Sequence, residues 1–127
     1  MSKERQNLHP TISTPGERFS AGGESFSVHE WRGSGPATLH VHHADDEAWH
    51  VLEGVLKFRF TDRTVDVAAG ESVFVPAGVA HTYLAVDARY LIILTPRLDR
   101  LIQELQRTLD HSRHPAVYQA HESQLLE

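Results

Sequence analysis

The 127-residue chain carries a formal net charge of -5, ten histidines and no cysteine. That length suits one domain, and an acidic balance without a basic stripe argues against a nucleic-acid partner. The absence of cysteine excludes a disulfide framework and any thiolate ligand or nucleophile, and it fits a reducing cytoplasm. No apolar run approaches the ~20 residues of a membrane span, and Met1–His9, polar throughout, lacks the layout of a secretory leader.

Residues 1–23, with Pro10, Pro15, Gly16, Gly22 and Gly23, read as an irregular N-terminal arm. From Phe26 to Thr95 short β-type runs alternate with turn residues: Phe26–Trp31, Thr38–His42, Glu47–Leu52, Val55–Thr61, Thr64–Val67, Ser72–Val75, His81–Ala85 and Tyr90–Leu94. Many short strands at close spacing, with no helical pattern between them, predict an all-β sandwich or barrel over residues 24–95. After Thr95-Pro96 the period changes. Leu98, Leu101, Ile102, Leu105 and Leu109 make the stripe of an amphipathic helix, with Thr95 as its cap and an end expected before Pro115. Residues 96–127 therefore form a C-terminal helical segment, with a second short helical turn expected around Val117, Tyr118, Leu125 and Leu126. The stripe suits packing on the same barrel or on a partner.

The chemistry concentrates in two places. His40 and His42 stand two apart, so on a strand both imidazoles point to one face. Ala44-Asp45-Asp46 makes a turn, and Glu47 at the head of the next strand comes back opposite the pair. Two imidazoles and a carboxylate form an N/O donor set suited to Fe, Mn, Ni, Co or Zn as divalent ions. A histidine pair of this kind serves equally as a solvated strand edge. Further on, Gly70 opens an apolar strand, Pro76-Ala77-Gly78 makes a tight turn, and His81 begins a new strand. Alone, this is an ordinary strand-turn-strand unit.

Together the two clusters resemble the paired motifs of the cupin superfamily. The first runs His40-Val41-His42, four residues, Glu47, six residues, Gly54. The second runs Gly70, five residues, Pro76-Ala77-Gly78, two residues, His81. Fifteen residues separate them, near the short end of the family's range and as in its small single-domain bacterial members. Two positions depart from the pattern: the opening glycine falls at Gly33 or Gly35, each one place off, and Ala85 stands where an Asn often closes the second motif. The resemblance implies a single-domain jelly-roll β-barrel and one divalent metal held by His40, His42, Glu47 and His81. It also implies a homodimer, the family's common form. The Trp49–Gly54 strand, the Leu94-Thr95-Pro96 exit and the C-terminal helix further resemble quercetinase-like members.

Strand parity places Thr38, Trp49, Val51 and Tyr83 on the metal's side as pocket lining, with core packing the competing role for Trp49 and Tyr83. Leu56, Phe58 and Phe60 belong to the barrel core. His43 and His50 fall off the metal face and enter its shell only through a bulge near Asp45. Arg32 supplies a cation for an anionic substrate if it points inward. The expected function is a metal-dependent, dioxygenase-like enzyme acting on a small enolisable or aromatic molecule, with Glu47 both ligand and proton acceptor as in the quercetinase relatives. The alternatives are a metal-dependent isomerase, lyase or cyclase working without oxygen, and a non-enzymatic small-molecule sensor.

Overall fold

The computed structural model describes residues 8–127. Eight strands form one continuous sheet: β1 (Ser20–Gly22), β2 (Ser27–Trp31), β3 (His40–His42), β4 (Glu47–Phe60), β5 (Thr64–Ala68), β6 (Ser72–Val75), β7 (His81–Leu94) and β8 (Ser123–Leu125). Two helices, α1 (Pro96–Arg107) and α2 (His114–Ala120), stand between β7 and β8. Among the described residues no helix is long and apolar enough to cross a membrane.

The frame is the antiparallel pair of β4 and β7, each 14 residues long and matched from Ala48↔Ile93 to Phe60↔His81. The sequence divides each of these into two runs; the structure joins them. The inward set of β4 is Glu47, Trp49 and Val51, then Leu56 and Phe58, so the buried parity switches from odd to even numbers. A strand alternates with period two, and only an irregularity shifts that phase. The register slips on either side of Glu53, next to Gly54. Gly54 has φ +74°, and a Cβ there would lie 2.2 Å from the Asp87 carbonyl oxygen. Glycine therefore permits a bulge without ending the strand. Opposite it, Asp87 has φ +45°, and the inward set of β7 changes there from His81 and Tyr83 to Ala88, Tyr90, Ile92 and Leu94.

β5 and β6 both pair with β4, and β2 pairs with the second half of β7. β1, inside the stretch expected to be irregular, pairs with β2. The short β3 touches β7 at a single register position, His40↔His81, and takes its longer pairing from β8: His40↔Leu125, Val41↔Gln124 and His42↔Ser123. The final residues, expected to be helical, thus split between α2 and a strand. The apolar run is too short to complete a helical face, and Tyr118, on α2, is its buried anchor.

α1 begins as the sequence predicts. The Thr95 hydroxyl accepts from the Leu98 N–H at 3.2 Å, and Pro96 stands in the first turn. The same hydroxyl donates to Asp45 Oδ1 at 2.9 Å, tying the helix to the turn between β3 and β4. On its own flank, Asp99 Oδ2 meets His29 Nε2 of β2 at 3.2 Å. These ties lay the apolar stripe against the barrel. Leu98 and Leu101 are buried beside Ile92 and Leu94, each contributing about 1.5–3 kcal/mol by burial. The helix ends at Arg107 with Thr108 as its cap, so Leu109 lies beyond the stripe and is exposed.

Candidate metal centre

Backbone pairing decides where the histidines meet. The His40↔His81 register position brings the first imidazole of β3 beside the first of β7. The Gly78 N–H donates to the His42 carbonyl at 2.8 Å, and the Ala77 N–H donates to Asp46 Oδ1 at 2.9 Å. The tight turn before His81 is therefore fastened to the turn after His42. His40, His42 and His81 are all buried, and one nitrogen from each lies within 4.8 Å of the others. Glu47, also buried, brings Oε1 to 3.3 Å from His42 Nε2 and 3.2 Å from His81 Nε2.

The partners of the outer ring nitrogens set the tautomers. Nδ1 of His40 contacts the Thr38 carbonyl at 3.0 Å and Nδ1 of His81 the Val79 carbonyl at 3.0 Å; carbonyls only accept, so both Nδ1 atoms carry hydrogen. His42 Nδ1 lies 2.7 Å from the Ser123 hydroxyl, which itself donates to the His121 carbonyl at 3.1 Å. The serine oxygen therefore accepts, and His42 Nδ1 carries hydrogen as well. In the neutral form of each ring Nε2 is left with its lone pair. At His42 and His81 that lone pair faces a carboxylate oxygen, an arrangement that repels unless a cation stands among the atoms. A divalent ion meets this requirement for the whole cluster, and the Nδ1–H donations are the outer contacts that orient ligand imidazoles.

The electrostatics agree. Burial holds the His40 imidazole down at about 4, so it is neutral as a ligand must be. Burial alone would raise the Glu47 carboxyl, but its contacts with His42 and His81 outweigh that and hold it at about 2, so it is ionised. The three histidines can hold a metal ion. His43 points the other way, toward Gln124, and His50 lies 2.7 Å from the Ser72 hydroxyl; neither belongs to the cluster.

The cluster forms the floor of a cavity of about 360 Å³. Tyr83 lines it, as parity implies. Thr38, Trp49 and Val51 stand elsewhere. Thr38 gives its carbonyl to His40, while Trp49 and Val51 pack inside the apolar core, Trp49 edge-on to Phe58 at 4.9 Å. Inward parity brings them to the metal side of the barrel, where Trp49 also stands edge-on to His81, ring centres 5.7 Å apart, and backs the cluster from the core.

The other walls come from places the motifs do not mark. Tyr90 donates to the Gly33 carbonyl, so the 2.8 Å contact between the two phenols has Tyr83 donating to Tyr90. Burial keeps both phenols protonated, pushing Tyr90 up to about 12 and Tyr83 well above its ordinary value. Gly35 fits beneath the Tyr83 ring, where a Cβ would come within 2.5 Å of Cε1. Tyr118 of α2 stacks edge-on against His40, ring centres 5.7 Å apart. Leu98, Leu101, Ile102 and Leu105 of α1 form the apolar side, and Arg18 and Arg32 also border the cavity. Periodicity marks the helix but not the surface it covers, and nothing in the sequence pairs Ser123 with His42.

Comparison with known proteins gives the same picture. Residues 24–95, over half of the chain, match the family model "Cupin domain". The chain is 39% identical over 56 residues to uncharacterized protein SCO3923 of Streptomyces coelicolor, covering 42% of this chain and 53% of that one. It is 40% identical over 79 residues to mannose-1-phosphate guanylyltransferase 2 of Escherichia coli O157:H7, covering 62% of this chain and 13% of that one. The match thus spans about half the length of the first relative and a small part of the second. Among solved structures, a cupin protein (BF4112) from Bacteroides fragilis superposes with TM-score 0.56 at 15% identity, over 71% of this chain and 85% of that one, a likeness of fold alone. With the barrel, the two motifs and the family match in agreement, this chain belongs to the cupin superfamily as one of its small domains.

Proposed function

We propose that this cupin binds one divalent transition metal through His40, His42, His81 and Glu47 and is a dioxygenase-like enzyme acting on a small enolisable or aromatic molecule. The observation that carries the reading is the buried cluster of three histidines, two of which bring Nε2 against the Glu47 carboxylate, on the lining of one cavity. A metal held by these residues would supply Lewis acidity and lower the pKa of an enol.

The chain's own residues account for the rest. The walls from α1 and the tyrosines suit a flat apolar body. Tyr83, whose proton goes to Tyr90, is an acceptor for a donor group on the substrate, such as an enol hydroxyl. Glu47 is the carboxylate placed to take that proton, and its low affinity for protons makes the transfer dependent on the substrate being acidified first. Two copies of the chain are proposed to associate, which sedimentation tests.

Elemental analysis of protein purified without added metal tests the centre, and trace metal after reconstitution would refute it. Oxygen consumption by iron- or nickel-loaded protein with enolisable substrates tests the reaction. Turnover without oxygen uptake would move the assignment to an isomerase, lyase or cyclase on the same residues. Tight ligand binding without turnover under any metal would make it a sensor.

A further inference from the structure

The cavity is chemically lopsided. Among the described residues its one lining carboxylate is Glu47, at the floor, and its α1 side is apolar. Two guanidinium-bearing residues, Arg18 and Arg32, lie on its border, both exposed to solvent. They come from separate elements, Arg18 just before β1 and Arg32 just after β2, and the pairing of those strands brings them to one side.

Neither arginine lies within ion-pair distance of a carboxylate among the described residues, although the charge of Arg32 reaches Glu30 and Glu53 from farther off. The nearby acids are claimed by another residue: Arg89 binds Glu30 at 3.2 Å and Glu53 at 3.3 Å. Arg18 uses only its Nε–H, donated to the Glu30 carbonyl at 2.9 Å, which leaves the terminal nitrogens of its guanidinium free to turn outward. Among the described residues, Arg18 and Arg32 make no ion pair within 4.0 Å. A cavity with two cations free of close ion pairs at its border and an apolar middle attracts molecules of matching polarity. The arginine fork pairs best with a carboxylate or phosphate.

We propose that the substrate is a small organic anion bound lengthwise, its reacting end on the histidine cluster and a carboxylate or phosphate group at the far end held by Arg18 and Arg32. This rests on the cavity being the reaction site. It adds a substrate class and two specificity-determining residues. The bound anion faces positive charge at the border and, with a divalent ion at the floor, a net positive floor as well. Diffusional capture of anions is then favoured and declines with added salt.

The test uses alkyl hydroxamates of graded chain length that end in either a carboxylate or the matching primary amide, titrated calorimetrically into zinc-loaded protein and into the same protein stripped with a chelator. The carboxylate member of the best-fitting length is expected to bind ~10-fold or more tightly than its amide at low salt, a preference that shrinks as salt rises. Replacing Arg18→Gln and Arg32→Gln together should abolish the preference for the carboxylate over the amide, with metal content as it was. Both side chains are exposed, so the fold does not depend on them. Equal binding of carboxylate and amide by the unaltered protein would overturn the proposal, as would a preference that survives the double replacement. Failure of the metal centre reads differently: the stripped and loaded proteins would then be indistinguishable, while the carboxylate preference would persist in both.

Discussion

The two ends of the cavity are built on different plans. At the floor, three imidazoles and a carboxylate sit on short paired strands, and each ring is oriented by an acceptor fixed in the backbone or in β8. At the border, the wall is a helix laid across the barrel and two exposed arginines from the strands beneath it. The floor tolerates little movement, because a ligand atom displaced by half an ångström loses its geometry. The border is free to vary, since an apolar wall selects by size and an exposed cation by charge. The floor therefore decides what chemistry is available, and the border decides which molecule receives it.

Removing a floor ligand should separate the ends most sharply. Glu47→Ala and His42→Ala are each expected to weaken metal binding by more than ~100-fold, beyond what loss of an orienting contact does. Circular dichroism should show the barrel intact. Retained metal in both variants would place the ion elsewhere.

Leu101→Ala attacks the other end. The side chain is 2% exposed, and its truncation should cost about 2–5 kcal/mol in urea unfolding while folded protein still fills with metal. Equal loss of metal affinity and stability would mean that the two ends are one unit.

Ser123→Ala lies at the join between them. It leaves the His42 Nδ1–H without its acceptor and should lower metal affinity about tenfold against a competing chelator, with unfolding midpoints little changed. A null result would make β8 a backbone clamp only.

The smallest effect is a pH dependence. Glu127 accepts two bonds from Arg59 at 2.9 and 2.8 Å and one from the Leu39 N–H, and these hold its carboxyl at about 2 against the ordinary 4.5. Between those values the unfolded chain binds more protons, so this contribution is present above the ordinary value and is lost as pH falls toward 2. Glu127→Gln should flatten the acid limb of stability in that window and leave neutral stability nearly unchanged after screening.

How much of this was legible in the sequence follows the same division. The spacing of His40, His42 and Glu47 is a consequence of strand parity, so the residues that meet are those the pattern names. His81 needed the second motif, because its partner in the pairing is 41 positions away. Thr95 and Pro96 announced the helix by local chemistry. The misses are of another kind. Gly54 and Asp87 look like turns, since a residue suited to positive φ usually ends a strand, yet here they make facing irregularities within continuous strands. Parity counted from Glu47 reached Trp49 and Val51 correctly as inward residues but could not tell cavity from filled core. Ser123, Arg18 and the α1 wall depend on long-range docking, for which one sequence holds no periodic signal.

The pairing of β3 with β8 also fixes an order of events in the making of the protein. His40 and His42 leave the ribosome early, but the strand that flanks them and the hydroxyl that orients His42 come more than 80 residues later. A nascent chain arrested before Ser123 is expected to bind zinc at least tenfold more weakly than the released protein, measurable by chelator competition on purified ribosome complexes. Tight metal loading would then wait until β8 has been made and paired with β3.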